Sequence, residues 1–203
     1  MYNKICSPVL LLIMIDSLYL VAAPTMSFYI QPKEAIAQTP EQSKNSSNFS
    51  TYENPIFGIK ILYPTNWDKQ ENTSSSSNNS TLSDVVTFSP PFKNSSDIIG
   101  KLAVRIDNIS DIKPTTLANY ADAIISDLKQ DFRVTESNTT LAGNPASKIQ
   151  YTGLEESVDL QAMLVMAIKG DRAYIISYTA EPENFSYYLP TVQKMIDSFE
   201  ILK

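Results

Sequence analysis

Apolar and polar positions alternate most clearly between Gly58 and Trp67. Ile59, Ile61 and Tyr63 fall on one side and Lys60 and Leu62 on the other, as a pleated strand requires. Asn54-Pro55 ahead of the run is a turn signal, and Pro64 ends it because proline cannot donate to a ladder. Trp67 follows three residues later, where it can cover the end of a sheet. Val85-Val86-Thr87-Phe88 before Ser89-Pro90-Pro91 predicts a second strand. Leu102 to Asp107 predicts a third, with Leu102, Val104 and Ile106 on its buried side. Lys113-Pro114-Thr115-Thr116 reads as a helix entry with a threonine N-cap, since Leu117, Tyr120, Ala121, Ile124, Ile125 and Leu128 then recur at helical spacing. Arg133 to Thr139 and Ala146 to Thr152 read as strands about the turn Ala142-Gly143-Asn144-Pro145. Leu160 to Ile168 and Ala173 to Tyr178 flank Lys169-Gly170-Asp171-Arg172, a strong hairpin signal. These two strands are the most apolar, which places them at the sheet centre. Glu181-Pro182 opens a last helix whose inner face is Phe185, Leu189, Val192, Met195, Ile196 and Phe199. Pro190 inside it should bend or restart it. The sum is an α+β domain, a largely antiparallel β-sheet flanked by helices.

Two regions depart from this periodicity. Residues 1–37 carry Lys4, then an apolar run from Val9 to Ala23, then Ala35-Ile36-Ala37, the layout of a signal peptide. An uncleaved N-terminal anchor is the alternative, because Val9 to Ile30 could nearly span a bilayer; Asp16 and Pro24 weigh against it. A buried core helix is the third reading. A lipid anchor is excluded, because Cys6 precedes the apolar run and does not end it. Residues 38–53 are polar and rich in Ser and Asn, which predicts a flexible linker, and Glu71 to Ser80 predicts a solvated loop. The folded domain is then 54–203.

Charge and composition narrow the chemistry. The net charge is −6, and removal of residues 1–37 leaves it unchanged because Lys4 and Lys33 leave together with Asp16 and Glu34. An acidic surface argues against nucleic acid as a partner. The chain has no histidine and one cysteine, Cys6 in the N-terminal segment. That excludes Ser-His-Asp triads, Cys-His pairs, histidine-ligated zinc and, in the mature chain, disulfides and thiol nucleophiles. No phosphate-cradling glycine loop occurs.

The remaining candidates are oxygen ligands and acceptor asparagines. Asp107 and Asp111 form one acidic group, and Glu155, Glu156 and Asp159 a second, dense enough to hold Ca²⁺ weakly. Neither has the register of a calcium loop, and solvated loop acids are the commoner explanation. Met163, Met166, Tyr174 and Tyr178 could line an apolar pocket, although such residues on central strands more often pack. Nine N-x-Ser/Thr sequons occur among 14 asparagines, against roughly three expected at random. The glycosylation candidates at loops and strand ends are Asn72, Asn79, Asn94, Asn108, Asn138 and Asn184.

Phe57-Gly58-Ile59, Tyr63-Pro64 and Trp67 are followed by Val85-Val86-Thr87-Phe88, the Leu117–Leu128 helix, and Leu141-Ala142-Gly143-Asn144-Pro145-Ala146. With Gly170-Asp171-Arg172-Ala173-Tyr174 and Met195-Ile196-Asp197-Ser198-Phe199, the order resembles the PsbP family over about 54–203. The pattern is most similar to exported archaeal members. The resemblance implies a PsbP-like α/β/α sandwich and a non-enzymatic, extracytoplasmic accessory domain that contacts an envelope protein. It implies no cofactor, with Ca²⁺ the one candidate, and membrane association only through the N-terminal segment if that stays uncleaved. A small-ligand or weak Ca²⁺ module, and a hydrolase using carboxylates without histidine, are the alternatives. The photosystem role is not carried over, because no histidine is present to match those of plant members. Chain isolated from its own host should begin at Gln38; terminal sequencing that finds Met1 intact on membrane-bound protein would replace secretion with anchoring.

Overall fold

The computed structural model describes residues 48–71, 84–91, 100–111, 116–155 and 158–202. Residues 1–37, where a targeting segment is expected, and all of the expected 71–80 loop but Glu71 lie outside them, as do Asn72, Asn79, Asn94 and Glu156. The strands are β1 (Phe49–Asn54), β2 (Ile59–Pro64), β3 (Asp68–Glu71), β4 (Asp84–Ser89), β5 (Lys101–Asn108), β6 (Arg133–Leu141), β7 (Asn144–Glu155), β8 (Val158–Lys169), β9 (Arg172–Ala180) and β10 (Glu200–Ile201). Helix α1 (Leu117–Leu128) joins β5 to β6, and α2 (Pro182–Asp197) joins β9 to β10. Seven strands form one sheet in the order β3-β4-β5-β9-β8-β7-β6, and β1-β2-β10 form a smaller one. Every pairing in both sheets is antiparallel. The fold is α+β, as the periodicity predicts.

Alternation along the central strands assigns each residue to one of two cores. Met163, Val165 and Ala167 of β8, with Tyr174, Ile176 and Tyr178 of β9, face α2 and the small sheet. Ala162, Leu164 and Met166 of β8, with Ile175 of β9, face α1 through Ala121, Ile124, Ile125 and Leu128. The large sheet is therefore covered on both faces, and its middle strands carry near-continuous apolar runs for that reason. Gly170 takes φ +62° in the two-residue turn between the paired Lys169 and Arg172, a conformation open to glycine without a Cβ penalty.

Three expectations need correction. The linker ends sooner than its composition predicts, because Phe49–Asn54 is strand β1, paired residue for residue with β2. Tyr52 decides this: it is buried and meets Phe88 edge-on at 6.0 Å. Pro190 neither stops nor restarts α2, which runs unbroken from Pro182 to Asp197. Pro190 and Ser186, whose carbonyl loses its helical donor, are both exposed, so water can take the missing bond. Strand β5 is buried on both faces and not on one, since Ala103, Arg105 and Asp107 are as enclosed as Leu102 and Val104.

Trp67 sits where Pro64 ends β2, and its N–H donates to the Pro64 carbonyl at 3.0 Å. The indole is 6% exposed and meets Tyr188 of α2 edge-on at 5.6 Å. It closes the end of the core between sheet and helix. Trp67→Ala should cost ~3–5 kcal/mol and lower the unfolding midpoint sharply in chemical denaturation. A mutant that melts like wild type would remove Trp67 from the core.

Candidate functional site

Among the described residues, buried charge is concentrated at one place, on the α1 side of β5. Arg105 and Asp107 stand two residues apart on one strand and so share a face. Their side chains are 5% and 9% exposed, and Arg105 Nε lies 3.0 Å from Asp107 Oδ1. Neither of these two atoms has a hydrogen-bond partner. The contact is thus an ion pair whose N–H is not aimed at the oxygen. Asp107 Oδ2 instead accepts from the Tyr120 hydroxyl at 2.5 Å. Tyr120 stands in the first turn of α1, directly after the N-cap Thr116, whose Oγ1 accepts from the Asn119 N–H at 3.1 Å. The cluster ties the start of α1 to β5.

Burial, and then the neighbouring Asp107 carboxylate, raise the Tyr120 phenol well above its ordinary value of 10.0. A phenol held neutral in this way donates a hydrogen bond and is a poor base or nucleophile at neutral pH. The arrangement holds two elements together and offers no group poised for proton transfer. Tyr178 behaves alike: burial first, and Tyr188 second, raise its phenol. Its hydroxyl donates to the carbonyls of Asn184 and Phe185 at 3.1 and 3.4 Å.

The first group of candidate calcium ligands, Asp107 and Asp111, is not brought together. Asp107 turns inward to Arg105, whereas Asp111 is exposed beyond the strand end. Asp107 is opposite Ala173, which is opposite Ile168, at one end of the sheet. Asp159 pairs with Leu154 and Glu155 with Val158 at the other end. Nine residues of β8 separate the two ends, about 30 Å at strand rise, so the two groups are separate candidates, and Glu156 of the second lies outside the described residues. Among the described residues no three acids gather as metal ligands do. The suggested apolar pocket is also divided, with Met163, Tyr174 and Tyr178 in one core and Met166 in the other.

Of the four acceptor asparagines within the described residues, Asn48 is exposed just ahead of β1, Asn138 is exposed on β6 and Asn108 is exposed at the end of β5. Asn108 Oδ1 accepts from the Ser110 N–H at 3.0 Å. Asn184 is half-buried in the first turn of α2. Composition and motif reading overlooked Arg105 and Tyr120. The signal was present as a lone Arg-x-Asp step inside an apolar strand, and Tyr120 was assigned to packing alone.

A model of the PsbP-like protein family matches residues 17–201. The chain belongs to the PsbP-like family. In shape it is similar to the cyanobacterial PsbP (CyanoP) of Synechocystis sp. PCC 6803, with a TM-score of 0.53 and 15% identity over 80% of this chain and 99% of that one. It is also similar to LpqN of Mycobacterium tuberculosis, described as involved in cell envelope biogenesis, with a TM-score of 0.54 and 10% identity over 78% and 88% of the two chains. At these identities the two structures share the PsbP-like fold with this chain. No curated protein matches it in sequence. Among the described residues of this PsbP-like chain, no helix is long and apolar enough to cross a membrane.

If the charged cluster is a latch, breaking and replacing it should differ. Asp107→Leu alone strands the buried Arg105 and should cost ~3–5 kcal/mol, whereas Arg105→Met/Asp107→Leu/Tyr120→Phe together should recover most of that loss. Equal melting of the single and triple variants would contradict the latch. The raised phenols set the alkaline limb. Below the unfolded value of 10.0 both states are neutral and the native bonds contribute fully; above it the unfolded chain ionises first and stability falls. The unfolding midpoint should therefore drop from about pH 9 to about pH 11, less steeply in Tyr120→Phe.

Proposed function

We propose that this PsbP-like chain is a non-enzymatic accessory domain of the cell envelope, working outside the cytoplasm by docking on another protein. Family membership and the envelope role stated for LpqN support the setting. The internal pairing of Arg105, Asp107 and Tyr120 supports a structural use for the charges that a catalyst would need.

The observation that carries the docking role is the turn between β1 and β2. Asn54 Oδ1 accepts from the N–H groups of Ile56 and Phe57 at 3.1 and 3.2 Å. Arg172 donates to the Phe57 carbonyl at 3.4 Å, and the Leu202 N–H donates to the Gly58 carbonyl at 2.8 Å. The turn is thus braced from its own strand, from the β8–β9 hairpin and from the C-terminal residues. On it Ile56 stands 82% exposed. A single exposed aliphatic is ordinary, but one presented on a braced turn loses little conformational freedom on binding, which favours a docking contact.

The full chain should capture a defined protein when cross-linked in the native envelope. Ile56→Asp should leave stability within about 0.5 kcal/mol while capture falls at least tenfold. Undiminished capture by Ile56→Asp would move the contact elsewhere, and absence of any specific partner would remove the accessory role.

A further inference from the structure

The two edges of the large sheet are protected very differently. Strand β3 is four residues long, exposed throughout, and carries Asp68, Lys69 and Glu71. Short charged edges of this kind do not recruit other strands. Strand β6, at the opposite edge, is nine residues long and pairs with β7 in one unbroken register. It has no proline, no lysine and no bulge. Of its two charges, the Glu136 carboxylate already accepts from the Ser147 hydroxyl at 2.7 Å. No strand neighbours its outer side among the described residues. By the usual devices this edge is open to another strand.

In the middle of that edge stands Asn138-Thr139-Thr140, an acceptor sequon. Asn138 and Thr140 are both exposed, and their two-residue spacing puts amide and hydroxyl on one face of the strand. Of the three other described sequons, Asn48 stands ahead of β1 and off the β6 edge, and Phe49, which follows it, packs against the core; the remaining two are less suited. Asn108 is engaged by the Ser110 N–H, and the residue between them, Ile109, is buried. Asn184 is half-buried and followed by Phe185 at 1% exposure. Because Asn138 is exposed, a sugar on it displaces no buried side chain of the folded domain.

We propose that Asn138 carries an N-linked glycan and that this glycan shields β6 from pairing with a further strand. The inference rests on the export reading, since the donor, a lipid-linked oligosaccharide phosphate, is used outside the cytoplasm. In the transfer the bond between Asn138 Nδ2 and the anomeric carbon forms and the anomeric C–O bond to the lipid phosphate breaks. The lipid phosphate departs as leaving group and the amide nitrogen gives up one proton. An added strand would lie about 4.8 Å from β6, within the volume that even a short glycan sweeps.

The test uses full-length protein purified from its own host. Tryptic cleavage after Arg133 and Lys148 yields the peptide 134–148, whose sole sequon is that of Asn138. Mass spectrometry should find this peptide shifted by a glycan. The shift should vanish in Asn138→Gln and Thr140→Ala and persist in Thr140→Ser. In sedimentation at micromolar concentration the glycosylated chain should be monomeric and Asn138→Gln should self-associate. A bare peptide from chain that begins at Gln38 would overturn the glycan while leaving export intact. A bare peptide from cytoplasmic chain that retains Met1 would overturn export and the glycan together. A glycosylated wild type beside an equally monomeric Asn138→Gln would overturn the shielding role.

Discussion

Everything in this fold depends on burying strands β8 and β9 on both faces. Their residues alternate between two cores, one closed by α1 and the other by α2 with the small sheet. A sheet centre apolar on both sides cannot be left half covered. The two helices follow from that need, as does the small sheet, in which Tyr52, Ile59 and Ile61 lie over the same core as Phe88 and Leu102. Ser198 joins these covers: its hydroxyl donates to the Met195 carbonyl at 2.6 Å and accepts from the Leu62 N–H at 2.9 Å. Trp67 against Tyr188 closes the other end of the same layer.

The same constraint accounts for the buried charges. Strand β5 lies next to β9 but toward the margin of the α1 side, where Tyr120 meets it from the first turn of the helix. Arg105 and Asp107 are enclosed there and neutralise each other, while the Tyr120 hydroxyl takes the second carboxylate oxygen. Removing either charge alone exposes the remaining one to a poorly solvating interior, so the pair is retained as a unit. The polar cluster that invites a catalytic reading is thereby occupied with helix placement. The exposed Ile56 on its braced turn and the outer side of β6 both lie apart from this cluster.

Much of the fold was legible because its elements use local signals. The Lys169–Arg172 turn, the helical stripe of α1, the Thr116 cap and the Pro64–Trp67 step each declare themselves within a few residues. Strand β1 was not legible, since Phe49-Ser50-Thr51-Tyr52 sits in a Ser/Asn-rich context and becomes a strand through its pairing with β2 and the contact of Tyr52 with Phe88. Strand β3 escaped notice because all four of its residues are exposed and carry no apolar pattern. The acids were misjudged for a related reason. Spacing placed Asp107 with Asp111, whereas strand geometry turns Asp107 inward to Arg105 and tertiary contact adds Tyr120. Alternation relates Asp107 to Arg105 on the same strand but says nothing of Asp111, which lies beyond the strand end.

Native-state hydrogen exchange measures the central claim most directly. If double coverage of β8 and β9 is what the fold depends on, their amides should exchange only through global unfolding, with the free energy found by denaturation. Amides of β6 and β3 at the sheet edges should exchange through smaller openings. Exchange of β8 and β9 as fast as β6 would contradict the account, because the sheet centre would then open without loss of the layers said to seal it.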